Sequence, residues 1–160
     1  MKKFYFLSIL VLTMVAVMPL QKMEAQAVSV WDGTSAIWTQ GSGTQADPYL
    51  IETAQNLAWI SEMVNNGVTT YSGVWFKLTS DLNMHNIAWV PIGNSTTNCF
   101  CGKFDGDNHF IDSISVTGSY TYAGLFGVTG DGADILNVGA HCDVNISGSY
   151  TYTTYAGGIV

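Results

Sequence analysis

From Gly73 onward, apolar and polar residues alternate one for one. Val74, Phe76 and Leu78 fall on one side of the chain, and Trp75, Lys77 and Thr79 on the other. Leu82 and Met84 resume the alternation beyond Asp81. A period of two marks a half-buried strand. Short runs of the same kind follow in "FCGKF", "HFIDSISV", "YAGLFG", "ADILNV", "DVNIS" and "YAGGIV", separated by Gly-, Asn- and Asp-containing turns. One segment has the helical period instead: Leu57, Ile60 and Val64 recur at i, i+3 and i+7, with Met63 beside them. Thr53 is suited to cap its start, and Asn65, Asn66 and Gly67 to stop it, which predicts a helix over about 54–66. "YLI" at 49–51 precedes it as a short strand. Residues 28–48, rich in Gly, Ser, Thr and Asp, read as an extended lead-in with turns at Asp32-Gly33 and Gly41–Gly43. The fold class expected is all-β with one helix near the N-terminal end.

The strands repeat. Ile114-Ser115-Val116 matches Val144-Asn145-Ile146 at an offset of 30, and Gly118-Ser119-Tyr120-Thr121-Tyr122 matches Gly148-Ser149-Tyr150-Thr151-Tyr152 at the same offset. After an inserted "TTY", Tyr122-Ala123-Gly124 matches Tyr155-Ala156-Gly157 at 33. Units this small cannot shield their own apolar face, so neighbours must stack into a continuous core. Strand-and-turn units without a helix predict a β-solenoid over 49–160, with two to three coils and the helix covering its N-terminal end. Gly124 and Gly157 are expected at corners, where φ > 0 is needed or a bulkier residue would hold coils apart. The tyrosines suit either an inter-coil ladder or an exposed aromatic strip for ligands.

The first 27 residues stand apart. Lys2 and Lys3, an apolar run from Phe4 to about Val17, and Ala25-Gln26-Ala27 form a basic, then apolar, then small-residue sequence. That order predicts a signal peptide cleaved after Ala27, hence a secreted or cell-surface protein with no transmembrane span in its mature part. Beyond Ala27 only Lys77 and Lys103 oppose eleven carboxylate side chains, and the chain has no arginine. Such a surface repels phosphate backbones, which argues against nucleic acid, and leaves proteins, neutral glycans or cations as partners. Cys99, Cys101 and Cys142 are an odd count for an exported chain. On an extended strand, Cys99 and Cys101 share a face with Cα atoms about 6.5 Å apart, which strains a direct bridge. Small buried thiols and a disulfide involving Cys142 both remain open.

"YAGLFG" resembles the GLUG motif of exported bacterial repeat proteins, carried here by Gly124, Leu125, Phe126 and Gly127. The second copy, "YAGGIV", has Gly158 in place of the leucine. The preceding "FKLTSDLNM", "WVPIGN" and "FCGKFDGDNHFIDSISV" are similar to the same family, as is "GSGTQADPYLIETAQNLAWIS", so the likeness covers roughly residues 41–160. The phrase met by Phe100, Gly102, Phe104, Asp105, Gly106, His109 and Ile111 strengthens it. The resemblance implies a right-handed parallel β-helix within a longer surface protein. Such repeats occur in adhesin-like proteins and beside immunoglobulin-cleaving metallopeptidase domains, and have no catalytic residues of their own. The chain is accordingly expected to be a fragment that is marginal alone or self-associates through an open C-terminal coil.

Candidate chemistry is sparse. His85, His109 and His141 lack the H-E-x-x-H spacing, and no nucleophile elbow is present. Asp105 and Asp107 in "DGDNH" are the candidates for Ca2+, against the simpler reading of an Asp-Gly turn. Cys99, Cys101, His141 and Cys142 lack zinc-site spacing. No cofactor and no catalytic residue is expected. The function expected is a non-catalytic structural or adhesive segment that presents a surface to host protein or neutral glycan. The alternative is a β-helix polysaccharide hydrolase or lyase. Asp105, Asp107 and Asp112 could supply the carboxylates of a hydrolase, whereas the scarcity of basic groups disfavours a lyase. Any peptidase or glycosidase domain would lie outside this chain.

Overall fold

A computed structural model describes residues 28–146 and 155–159. The expected leader, and Tyr150 and Tyr152 of the repeat, lie outside the described residues. The described residues are mostly strands and carry a single helix, α1 (Ala54–Asn65). Thr53, extended at φ −136° and ψ 158°, caps it. The Asn56 amide donates to Thr53 Oγ1 (3.3 Å), while Asn56 Oδ1 accepts from the Thr53 amide (3.1 Å). This reciprocal box uses Asn where Glu or Gln is usual. At the other end Gly67 takes φ 68°. Its amide donates to the Val64 carbonyl (3.0 Å) and that of Val68 to the Met63 carbonyl (3.0 Å). This is the Schellman arrangement, and glycine accommodates its left-handed residue without strain. Leu57, Ile60 and Val64 are fully buried. On the polar side, Asn65 Nδ2 donates to the Pro91 carbonyl (2.9 Å) and Ser61 Oγ to the Val90 carbonyl (2.7 Å), which fixes α1 against residues 90–91.

The strands are β1 (Ser29–Val30), β2 (Tyr49–Ile51), β3 (Trp75–Leu78), β4 (Leu82–Asn83), β5 (Lys103–Asp105), β6 (Phe110–Gly118), β7 (Tyr122–Ala123), β8 (Asp134–Leu136), β9 (Gly139–Ile146) and β10 (Tyr155–Ala156). Every named pairing is parallel. One sheet runs β1-β4-β6-β9, a second β2-β3-β5-β8, and β7 pairs with β10. The chain passes from one four-stranded sheet to the other and back: β3 then β4, β5 then β6, β8 then β9. Partners lie 27 to 33 residues apart, except between β1 and β4, where the rest of the lead-in, β2, α1 and β3 all intervene.

The register places like beside like. Tyr49, Phe76, Phe104 and Ile135 form one row across the second sheet, and Leu82, Ile111 and Ala140 one across the first. Phe76, Phe104, Leu82 and Ile111 have no exposure. Phe100 joins Phe76 (6.1 Å between centroids) to Phe126 (5.1 Å), so aromatic rings run through the core. The lead-in belongs to this core. Trp31 is buried edge-on to Trp89 (5.6 Å), and Trp38 packs on Tyr49 (4.7 Å) and Phe76 (5.2 Å). On β8 and β9 the equivalent inward positions, Ile135, Ala140, Cys142, Val144 and Ile146, are only half-buried.

One expected register is corrected. Val116 pairs with Val144 and Ile114 with Cys142, an offset of 28 rather than 30. The pairing shifts between Ile111 and Ile114, where Ser113 takes φ 58°. A slip of two keeps each side chain on its own face, so letter identity alone could not choose between the registers. The offset of 33 at Tyr122 and Tyr155 agrees with the pairing of β7 and β10.

Candidate functional site

With apolar side chains turned inward, chemistry is confined to the outer faces and corners. At the corner between β5 and β6, Asp105 Oδ1 accepts from the Asp107 amide (2.9 Å) and from Asn137 Nδ2 (3.0 Å). Asp107 Oδ2 lies 2.9 Å from Lys77 Nζ. That contact raises the lysine's pKa, mainly through the hydrogen bond. Asp107, Asn108 and Asn137 take left-handed φ of 47°, 66° and 51°, which Asn and Asp tolerate better than other non-glycine residues. The two Ca2+ candidates are therefore built into a turn and an ion pair. Among the described residues no group of three or more His, Cys, Asp or Glu is arranged to hold a metal ion.

Of the two reasons expected for glycine at position 124, positive φ and close approach of neighbouring coils, the structure has the second. Neither Gly124 nor Gly157 has positive φ. What Gly124 supplies is close approach: a Cβ there would lie 2.7 Å from the Gly157 carbonyl oxygen. Gly127 is tighter, since its Cβ would meet the Gly93 oxygen at 2.4 Å. Between them Leu125 and Phe126 are fully buried. The four-residue motif is thus core and backbone contact, with no side chain offered to a ligand.

Among the described residues, two outer surfaces bear on the candidate chemistry. The first is a groove of about 610 Å3 across β4, β6 and β9, lined among others by Asp81, Asn83, Phe110, Asp112 and His141. Phe110 is 61% exposed. Asp81 Oδ1 accepts the Phe110 amide (2.9 Å) and lies 3.1 Å from His109 Nδ1. Those contacts, the amide foremost, hold its carboxyl below the usual range. Asp112 Oδ1 lies 3.1 Å from His141 Nδ1 and accepts the Ser113 amide (2.7 Å). These Asp–His pairs join residues 28 and 29 positions apart, beyond the reach of a local motif scan. The "DGDNH" phrase grouped His109 with Asp105 and Asp107, whereas its ring sits on Asp81. Of the three carboxylates considered for hydrolysis, Asp105 and Asp107 occupy the corner and Asp112 lines the groove with its own partners.

The second surface carries the tyrosines. Tyr122 and Tyr155 stack with centroids 5.7 Å apart and planes 12° from parallel, and Tyr155 is 59% exposed. A shallow depression of about 640 Å3 adjoins them, lined by Gly127, Val128, Thr129 and Ala156. The pair stacks as the ladder alternative requires, with Tyr155 exposed and Tyr122 half-buried.

No family model and no solved structure matches the chain. Over 111 residues it is 32% identical to a protein of Evansella cellulosilytica named as a Gly-rich membrane protein, covering 69% of this chain and 13% of that one. Over 94 residues it is 33% identical to Halomucin of Haloquadratum walsbyi, covering 53% of this chain and 1% of that one. The chain thus spans a small part of each relative's length. Among the described residues no helix is long and apolar enough to cross a membrane.

Proposed function

We propose that this chain is a non-catalytic β-solenoid segment of the GLUG kind, from an exported bacterial surface protein, whose outer aromatic face binds neutral glycan or host protein. The observation that carries the reading is Tyr122 stacked on Tyr155: the repeated phrase sets identical rings one above the other, with Tyr155 exposed and Tyr122 half-buried. Paired aromatic faces suit the apolar faces of uncharged sugars or an apolar patch on a protein. Alternate passage between two parallel sheets at intervals near 30 residues supports the solenoid, with α1 in the role of cap. Export rests on the leader pattern. The half-buried row on β8 and β9 is the surface at which this reading places self-association or a further layer.

The test is retention of the purified chain on a panel of neutral polysaccharides and extracellular host proteins, alongside Tyr122→Ala and Tyr155→Ala. Binding that weakens at least tenfold in both variants, with unchanged melting and no release of reducing ends, is the expected result. Reducing ends that appear with the parent chain and vanish in Asp105→Asn or Asp112→Asn would establish the hydrolase alternative instead.

A further inference from the structure

Cys99 and Cys101 flank Phe100, whose ring is fully buried in the core. Near-extended chain turns neighbours of an inward residue to the opposite side together. Phe100 pairs with Thr129 in the adjacent segment, and the Gly130 amide donates to the Phe100 carbonyl (2.8 Å). Both sulfurs settle over Gly130. A Cβ on that residue would stand 2.6 Å from Cys99 Sγ and 2.7 Å from Cys101 Sγ. Gly130 does not have positive φ, so its backbone does not demand glycine. The two sulfurs occupy the space a side chain would take, 3.5 Å apart. Cys142 is placed differently, in register with the buried Ile114.

We propose that Cys99 and Cys101 form a dithiol site that closes to an intrachain disulfide by exchange with a low-molecular-weight disulfide. Cys101 is the more accessible of the two. Its thiolate attacks one sulfur of the oxidant, breaking that S–S bond, forming a mixed disulfide and releasing one thiolate, which takes up a proton. The Cys99 thiolate then attacks Cys101 Sγ, the mixed S–S bond breaks, and the second small molecule leaves as a thiolate that takes up a proton. Two electrons pass from the protein sulfurs to the oxidant, and the two protein thiol protons are balanced by those on the released thiols. Burial, and then the neighbouring Cys101, raise the pKa of Cys99, which disfavours it as the first attacking thiol; in the second step its target is already adjacent. The sulfurs need to close only from 3.5 Å to about 2.05 Å. The extended backbone alone had argued against this bridge; the missing side chain at Gly130 lets the two thiols converge.

The reduced, purified chain is incubated with oxidised glutathione, alkylated without reduction and weighed intact, with Cys142→Ser and Gly130→Ala in parallel. The expected product has lost two hydrogens, carries no glutathione, and retains one alkylatable thiol, that of Cys142. Cys142→Ser closes the same bridge and retains none, and remains readable if Gly130→Ala does not fold. In a folded Gly130→Ala chain, closure is expected to slow at least tenfold. A lasting glutathione adduct on Cys101, a bridge to Cys142, or three thiols still alkylated would each overturn the proposal.

Discussion

The indole N–H of Trp89 donates to the backbone carbonyl of Leu125, 3.1 Å away and 36 residues later in the chain. Both side chains are buried, and the same carbonyl accepts from the Ile92 amide (3.1 Å). The indole bond therefore adds to the backbone bonds that tie the "WVPIG" segment to the repeated glycine motif, among them the Gly127 amide to the Ile92 carbonyl (2.8 Å). Trp89→Phe keeps most of the ring volume and leaves the carbonyl with its backbone donor. Its cost is expected to combine a lost hydrogen bond of about 1 kcal/mol with a small packing defect. Trp89→Ala adds a cavity and should cost about 3–5 kcal/mol. Urea titration of both variants separates the two contributions.

The glycines divide by physical cause, and alanine substitutions should sort them. At Gly127 and Gly124 the added methyl meets backbone oxygen at 2.4 Å and 2.7 Å, with no flexible side chain to give way. Losses of about 1–3 kcal/mol or more are expected, larger at 127. Gly132 has φ 82° and nothing within 4 Å, so Gly132→Ala should show only the left-handed backbone penalty of about 1 kcal/mol. Equal melting shifts at 124, 127 and 132 would contradict this division.

Asp81 should leave a mark on acid stability. Its folded pKa is lowered from 3.8, so the folded state favours the ionised form. The stabilisation is present above 3.8 and is lost as pH falls through the lower folded value. Asp81→Asn retains an oxygen to accept the Phe110 amide and removes only the charge. It should melt lower than the parent at neutral pH, and the gap should close on acidification. A gap that is constant with pH would assign the effect to something other than ionisation.

Tyr71 contributes on the alkaline side. It is buried edge-on to Phe76 (5.0 Å between centroids), and burial pushes its phenol from 10.0 to about 12. Folding therefore favours the neutral phenol. That contribution is complete below pH 10 and disappears as pH rises through about 12. Tyr71→Phe should flatten the decline in stability over this interval. Its own packing cost should be small, since the ring remains. Melting curves across the interval, read by near-ultraviolet circular dichroism, test both points.

The one-dimensional pattern determined which residues face inward. Alternation placed Phe76, Leu78, Leu82 and Met84 in the core, and the helical period with Thr53 and Gly67 placed α1 to within a residue at its C-terminal end. These are local properties, fixed by side-chain direction along a strand or helix and by the chemistry of the capping residues. Tertiary structure decided what stacks on what. Offsets of 28 and 30 preserve the same faces for Val116, so its partner depends on how the whole layer settles. The atoms that crowd a side chain at 124 and 130 lie about 30 residues away, the Gly157 backbone oxygen in one case and the two sulfurs in the other. The Asp81–His109 and Asp112–His141 pairs likewise exist only because parallel stacking brings distant corners and strands together. Inward or outward is a property of each residue's own backbone, whereas a contact belongs to two segments and is set by the spacing that packing imposes between them.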